Sequence, residues 1–255
     1  MGLCHGLRQT SGAGAAMIRT IDDMNIDKWK NPVGVSVPGD ELRFLLVPDR
    51  VEAAICFDLA QKVHVHQDQM RGKPGEISVA LMITQGGLLP GILLYDHVVE
   101  GRPQGTPKIR FGTLGISGYQ GPGERSAEMQ VQQGISVPVR DCTVLIIDDL
   151  GDSGSTMKLA SDHVMANGAS SVLTLVPYMK PEAVQHFSAD FSFGEVPQDT
   201  WIITPRERIE TLMKRVPVWK QRGATEQECR RRLCDLIGYS TAEVNYYLPV
   251  AYDLG

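Results

Sequence analysis

The chain has 255 residues, of which 42% are hydrophobic and 22% charged, proportions typical of a globular protein with a buried core. Its formal net charge of −5 argues against general binding to nucleic acid or to an anionic membrane, because both depend on basic surfaces. No stretch reaches the roughly 18 apolar residues that a membrane-spanning helix requires.

The first part of the chain predicts a tail followed by alternating helices and strands. Residues 1–20 contain no acidic side chain and no long apolar run, so we expect a disordered tail or a weak targeting segment there. Residues 48–66 carry apolar side chains near helical spacing and predict a helix. The continuous apolar run at 77–84 is typical of a strand covered on both faces, and residues 88–99 predict a second helix.

The middle of the chain continues the alternation. Residues 108–117, 143–150 and 170–179 are candidate strands, and residues 154–169 form a helical pattern that ends at Asn167-Gly168. Strands that alternate with helices favour an α/β fold, with a mostly parallel twisted sheet flanked by helices. In such sheets, ligands bind beyond the carboxyl ends of the strands.

The last part of the chain has a different pattern. Residues 207–223 and 225–248 are helical in period and rich in charge. We therefore expect an α/β domain at 21–207 and a C-terminal helical extension at 208–255, serving oligomerisation or covering the site.

The run VLIIDDLGDSGST at residues 144–156 combines an apolar strand, three acids and a small polar loop. Adjacent strand residues face opposite sides of a sheet, so Asp148 and Asp149 can serve one ligand only if the chain turns between them. The loop at 152–156 leads into a helix, whose N-terminal N–H groups and neighbouring hydroxyls can bind phosphate. Gly154 would let the main chain approach that phosphate closely.

An ordinary helix N-cap beside solvated acids is the alternative, and it explains either half of the run when that half is taken alone. Both halves together, between a strand and a helix, favour a ligand site. The run has neither the Gly-Lys of a P-loop nor a G-x-G-x-x-G pattern. Since carboxylates repel phosphate unless they bind sugar hydroxyls or Mg²⁺, the pattern indicates a phosphorylated ribose.

The same run, extended to 144–157, resembles the ribose-phosphate motif of the type I phosphoribosyltransferases, which use 5-phosphoribosyl 1-diphosphate. Residues 79–94, VALMITQGGLLPGILL, are similar to the pyrophosphate-binding loop of that family. Residues 116–130 occupy the place of its mobile catalytic loop, which would contain Tyr119 and Arg125.

Two further segments resemble the branch that acts on 6-oxopurines. MKPEAV at 179–184 matches its Lys-Pro, and VPQDTWIITPRE at 196–207 is similar to the hood of the xanthine-guanine phosphoribosyltransferases. The resemblance spans about residues 45–207 and implies a Mg²⁺-dependent transferase of purine salvage.

The resemblance also implies roles for individual residues. Asp148 and Asp149 would hold the ribose hydroxyls, directly or through Mg²⁺, and Asp152 would act as acid or base near N7 of the purine. The 5′-phosphate would be bound by Ser153, Gly154, Ser155 and Thr156, and the pyrophosphate by Gln85, Gly86 and Gly87.

In the base site, Lys180 would donate to O6 of the purine, Trp201 would stack on the ring, and the Ile202 main chain would read position 2. Without the resemblance, the alternatives are that Lys180 is a solvated strand end and that Trp201 is a core aromatic. A buried ammonium offers only donors, so Lys180 predicts selection of 6-oxopurines over adenine.

Two positions depart from the family pattern. Gln85 stands where the pyrophosphate loop usually has a basic residue, and Arg206 stands where the purine branch usually has a tryptophan. These departures leave two alternatives to the predicted reaction: a binder of nucleotide or phosphoribosyl diphosphate without turnover, or a transferase acting on a different base.

The partners expected on this basis are 5-phosphoribosyl 1-diphosphate and a purine base, with no nucleic acid and no membrane. We also expect a homo-oligomer, either a dimer or a tetramer. The five cysteines are scattered without a C-x-x-C pair, which favours reduced thiols and a cytoplasmic location.

Overall fold

The computed structural model describes residues 25–118 and 129–254, and it contains both strands and helices throughout. In these residues the strands are β1 (Val35–Ser36), β2 (Arg43–Leu46), β3 (Ile77–Thr84), β4 (Arg110–Gly118), β5 (Met129–Gln133), β6 (Thr143–Ile147), β7 (Leu150–Gly151), β8 (Ser171–Met179), β9 (Phe191–Glu195) and β10 (Thr200–Ile203). The α-helices are α1 (Asp49–Met70), α2 (Leu88–Tyr95), α3 (Ser155–Ala166), α4 (Pro181–His186), α5 (Arg208–Gln221), α6 (Glu226–Arg231) and α7 (Thr241–Asp253). Helices α2 and α6 continue as π-helical turns at Asp96–Glu100 and Arg232–Ile237.

The apolar runs lie side by side in one seven-stranded sheet. Its strands are ordered β5-β4-β3-β6-β8, with β9 and the short β7 also paired to β8. All of these pairs are parallel except β4 with β5. Because β3, β6 and β8 run in one direction, the loops after Thr84, Ile147 and Met179 meet at the same edge of the sheet. The predicted α/β fold with a mostly parallel sheet is confirmed.

Helices cover both faces of this sheet. One apolar cluster joins α1 and α2 to the sheet through residues such as Ile55, Leu59 and Leu94. A second cluster on the other face joins α3 and α4, through Met157 and Ala183 among others. The central strand β6 is buried at all five positions, which explains its unbroken apolar sequence.

A second, three-stranded sheet was not expected from the sequence. It has the order β1-β2-β10, with β1 antiparallel and β10 parallel to β2. Helices α5, α6 and α7 pack on this sheet, and they share one apolar cluster with Val37, Phe44 and Ile203. The C-terminal helices are thus joined by a common core to a sheet that also forms part of the site.

The predicted elements differ from the structure mainly at short or polar segments. The helix predicted at 88–99 leaves α-helical geometry after Tyr95, and the strand predicted at 143–150 ends at Ile147. Strands β2 and β10 have four residues each, and β5 has the sequence MQVQQ. Such short or polar segments carry little periodic signal, so they can be assigned as strands only when the strands that pair with them are known.

Candidate active site

Two adjacent carboxylates lie at the carboxyl end of β6. The strand ends at Ile147, and the main-chain N–H of Asp148 donates to the carbonyl of Leu175 at 3.0 Å. The N–H of Asp149 then donates to Oδ1 of Asp148 at 3.0 Å, which turns the chain between the two acids. Both carboxylates converge on Gly86, because a Cβ built there would lie 2.6 Å from Asp149 Oδ1 and 2.7 Å from Asp148 Oδ1.

The two acids are costly to ionise where they lie. Burial, followed by the neighbouring Asp149 charge, raises the pKa of Asp148 well above its ordinary range. Burial also raises the pKa of Asp149, whereas the nearby Arg206 guanidinium acts in the opposite direction. The pair therefore favours a cation or hydrogen-bond donors as its ligand, such as the hydroxyls of a sugar.

The donor set also fits a hydrated Mg²⁺. Mg²⁺ prefers oxygen ligands and is often held by one or two carboxylates together with substrate phosphates and water. In the described residues, no group of three or more His, Cys, Asp or Glu side chains is arranged to hold a metal ion. Asp148 and Asp149 would therefore hold Mg²⁺ only together with ligand oxygens.

The loop at 152–156 opens onto the N-terminus of α3. Gly154 has a φ of +80°, a left-handed conformation that glycine adopts without strain, and it is the residue before the helix. The helix starts without a side-chain cap among the described residues, and the first intrahelical bond runs from Lys158 N–H to the Gly154 carbonyl at 2.9 Å. Ser153 and Ser155 share a hydroxyl hydrogen bond of 3.0 Å. The N–H groups of the first turn, including that of Thr156, are suited to bind an anion.

A cleft of about 190 Å³ lies beside the acidic pair, and Lys180 reaches into it. The Lys180 ammonium lies 2.9 Å from Oδ1 of Asp152, with the lysine side chain 11% exposed and the aspartate side chain 60% exposed. The Lys180 N–H donates to the carbonyl of Gly151 at 2.8 Å, which fixes the start of α4 against β7. The structure thus brings a donor and an acceptor together at the cleft, from positions 28 residues apart in sequence.

The opposite wall of this cleft is β10. Trp201 and Ile202 both line it, with Ile202 8% exposed. The indole Nε1–H of Trp201 donates to Oγ1 of Thr211 at 3.0 Å, and Thr211 is buried in α5. The C-terminal helices therefore fix the orientation of the tryptophan that borders the cleft.

The loop after β3 contains the three residues assigned to pyrophosphate, and it begins with a cis peptide bond between Thr84 and Gln85. A Cβ at Gly87 would lie 2.0 Å from the carbonyl oxygen of Ile147, so only glycine allows this close approach of the two chains. Gln85 and Gly86 border a second cleft of about 460 Å³. Of the residues with assigned roles, Asp149, Asp152, Lys180, Trp201 and Ile202 line the first cleft, and Gln85 and Gly86 line the second.

The remaining predicted site residues, Tyr119 and Arg125, lie outside the described residues. Two acids were not singled out from the sequence, one that lines the smaller cleft and one whose pKa is affected by the charges of the site. Glu207 lines the smaller cleft, and burial, with the Asp149 charge second, raises its pKa. Glu52 is 2% exposed on α1, and burial, followed by Asp149 and Glu207, raises its pKa to about 7.

A signal for Glu52 exists in the sequence, since it stands within the apolar face of a predicted helix. Thr211 carries no comparable signal, because its role depends on how α5 packs. Arg206, noted in the sequence as a departure, lies 3.3 Å from Asp149 Oδ2 and 3.0 Å from Glu207 Oε1.

A family model described as "Phosphoribosyl transferase domain" matches residues 54–207, more than half of the chain. The hypoxanthine-guanine phosphoribosyltransferases of Mycobacterium bovis and Mycobacterium tuberculosis are each 21% identical over 164 residues, covering 64% of this chain and 77% of theirs. A crystal structure of the purine phosphoribosyltransferase from Pyrococcus horikoshii Ot3 superimposes with a TM-score of 0.50 at 20% identity, covering 64% of this chain and 93% of that one. It shares the fold of this chain. Among residues 25–118 and 129–254, no helix is both long and apolar enough to cross a membrane.

Proposed function

The chain belongs to the phosphoribosyl transferase domain family, and we propose that it transfers the 5-phosphoribosyl group from 5-phosphoribosyl 1-diphosphate to a 6-oxopurine base. The products would be a nucleoside 5′-monophosphate and pyrophosphate. One observation carries the choice of base: the Lys180 ammonium and the Asp152 carboxylate lie 2.9 Å apart at one cleft. The names of the mycobacterial relatives support a purine.

This pair complements one edge of a 6-oxopurine. The O6 carbonyl accepts hydrogen bonds, and a protonated N7 beside it donates one. Lys180 offers only donors and Asp152, when ionised, only acceptors, so the two groups match O6 and N7–H respectively. Adenine carries an amino group in place of O6, so the base would present a donor to the donors of Lys180 and lose that hydrogen bond, which is costly in a buried site.

Catalysis would depend on positioning and electrostatics. Asp148 and Asp149 would accept hydrogen bonds from the ribose hydroxyls, and the first turn of α3 would hold the 5′-phosphate. Asp152 would hold or accept the proton at N7 while another purine nitrogen forms the bond to C1′ of the ribose and the bond from C1′ to the pyrophosphate oxygen breaks. The chemistry that a bound Mg²⁺ supplies here is neutralisation of negative charge on the diphosphate and ribose oxygens.

The test is a panel of bases. Folded protein is incubated with Mg²⁺ and 5-phosphoribosyl 1-diphosphate and, separately, guanine, xanthine, hypoxanthine, adenine, uracil and orotate. We expect nucleotide from the 6-oxopurines only. Product from orotate or uracil alone would indicate a different base, and no product from any base would rule out the transferase function.

Two variants sharpen this test. Asp152→Asn is expected to lower kcat by about 100-fold or more, with a much smaller effect on donor affinity. Lys180→Gln, which offers both a donor and an acceptor, is expected to reduce the preference for guanine over adenine. Lys158→Gln, on the exposed side of α3, is the matched control and should leave this preference unchanged.

The alternative function, binding of the donor without turnover, is favoured by one specific observation. Gln85, which lines the second cleft, is neutral and offers no charge to a leaving pyrophosphate. Calorimetric binding of the donor or of a nucleotide, with no product from any base in the panel, would favour this alternative over the transferase.

A further inference from the structure

The second cleft has an unusual charge distribution. It adjoins the first cleft at Asp149, since Gly86, which lines the second cleft, lies against the Asp149 carboxylate. The lining residues are Thr84, Gln85, Gly86, Gly115, Ile116, Ser117, Gln132, Gln133, Arg206 and Glu210. Among these described residues, Arg206 is the only cation. The others supply amides, hydroxyls, main-chain groups and one acid.

Arg206 is held at the junction of the two clefts by several acids at once. Its Nη2 lies 3.3 Å from Asp149 Oδ2 and 3.0 Å from Glu207 Oε1, and its Nη1 lies 3.7 Å from Glu210 Oε2. All three separations exceed the 2.7–2.9 Å that is usual for a strong charge-assisted hydrogen bond. The guanidinium side chain is also 29% exposed, so a ligand in the cleft can reach it.

A diphosphate group in this cleft would be stabilised by this cation, in addition to any bound Mg²⁺. A multiply charged anion is poorly compensated by amides and hydroxyls alone, and the acids at this junction would repel it. A planar guanidinium binds phosphate oxygens through two parallel hydrogen bonds, and Arg206 occupies the position from which it can neutralise either Asp149 or a phosphate.

We propose that Arg206 is the diphosphate-binding cation of this site, and that it exchanges its contact with Asp149 for the diphosphate when the donor binds. This inference rests on the proposed function, which supplies the diphosphate. The exchange releases an oxygen of Asp149 at the moment when a ribose hydroxyl arrives to use it. Arg206 would thus couple binding of the diphosphate to binding of the ribose from which the diphosphate leaves.

The experiment compares two ligands by calorimetry on the full chain: inorganic pyrophosphate with Mg²⁺, and ribose 5-phosphate, which lacks the diphosphate. Arg206→Gln is expected to weaken pyrophosphate binding by about 10- to 100-fold, the effect of losing a charge-assisted hydrogen-bonded pair. Binding of ribose 5-phosphate should become tighter or change by less than about threefold. Arg110→Gln, at the opposite end of β4, removes a cation elsewhere and serves as the matched control.

A second substitution places the cation on the other wall of the same cleft. Gln85→Arg alone should tighten pyrophosphate binding, and Gln85→Arg combined with Arg206→Gln should restore the affinity to within about threefold of the parent protein. Gln85→Arg leaves the Arg206 contacts in place, so it tests the cleft even if Arg206→Gln does not fold.

Several results would overturn the inference. These are an unchanged pyrophosphate affinity in Arg206→Gln, an equal loss in Arg110→Gln, an equal loss for ribose 5-phosphate, or no gain from Gln85→Arg. The base panel on the parent protein is independent of all of them. Normal turnover with an unaltered pyrophosphate affinity in Arg206→Gln would refute the role of Arg206 alone, whereas no turnover by the parent protein would refute the proposed function.

Discussion

Replacing Glu52 by glutamine tests how much the ionisation of this buried acid, beside the charges of the site, lowers the free energy of unfolding. Glu52 is 2% exposed on α1, and burial, followed by the charges of Asp149 and Glu207, raises its pKa from the ordinary 4.5 to about 7. The protonated carboxyl carries no charge to desolvate. The fold is therefore stabilised by protonation of Glu52 below about pH 4.5, and this contribution is lost as the pH rises through about 7.

The size of the effect follows from the separation of the two pKa values. At 1.36 kcal/mol per pH unit, the separation between 4.5 and about 7 corresponds to about 3 kcal/mol. Glu52→Gln keeps the shape and removes the titration. We therefore expect the variant to gain about 3 kcal/mol over the parent protein between pH 4.5 and pH 8, an upper value because local relaxation would reduce it.

The assay is denaturant unfolding of both proteins at several pH values across this window, with the free energy of unfolding compared at each. Glu195→Gln, which changes an exposed glutamate, is the matched control and should follow the parent protein. Parallel curves for Glu52→Gln and the parent protein would refute the reasoning, because they would mean that Glu52 ionises equally easily in the folded and unfolded chains.

Three further substitutions test contacts that support the site. Thr211→Val removes the acceptor of the Trp201 indole and should raise KM for the base about 3- to 10-fold with little change in kcat, while Thr211→Ser should behave as the parent in steady-state assays. Gly87→Ala would place a Cβ 2.0 Å from a carbonyl oxygen of β6 and should cost at least about 2 kcal/mol in thermal unfolding; an unchanged melting temperature would contradict the clash. Asp40→Asn removes the negative charge of the fully buried partner of Arg215 and should lower the free energy of unfolding by about 3–5 kcal/mol in denaturant titrations. A loss under about 1 kcal/mol would mean that this ion pair does not stabilise the fold.

The sequence carries part of the candidate site in contiguous segments, which can be recognised without the structure. The run from Asp148 to Thr156 is contiguous, so an apolar strand, acids and small residues in that order are visible without knowing what packs on them. The long apolar run at 77–84 corresponds to β3 in full. Periodicity is a strong signal in such segments because one environment acts on every residue in them.

Other parts depend on contacts between distant segments. The hydrogen bond from Trp201 to Thr211 exists because α5 packs on the small sheet. Nothing in the sequence around either residue predicts this contact. The contact between Arg206 and Asp149 joins positions 57 residues apart. Glu52 could be noticed as an acid in an apolar stripe, but its neighbours Asp149 and Glu207 come from other elements. Contacts of this kind can be predicted only when the strand order and the packing of the helices are known.

The parallel pairing of β2 with β10 affects how the protein can fold while it is being synthesised. Arg43–Leu46 leaves the ribosome before its partner Thr200–Ile203, which follows only after the intervening residues 47–199 have been synthesised. Until then, β2 lacks a partner on that edge, and the wall that carries Trp201 does not exist. Ligands therefore cannot assist folding of the nascent chain through this wall, and a ribosome-bound chain that stops before residue 203 would expose an unpaired strand prone to mispairing.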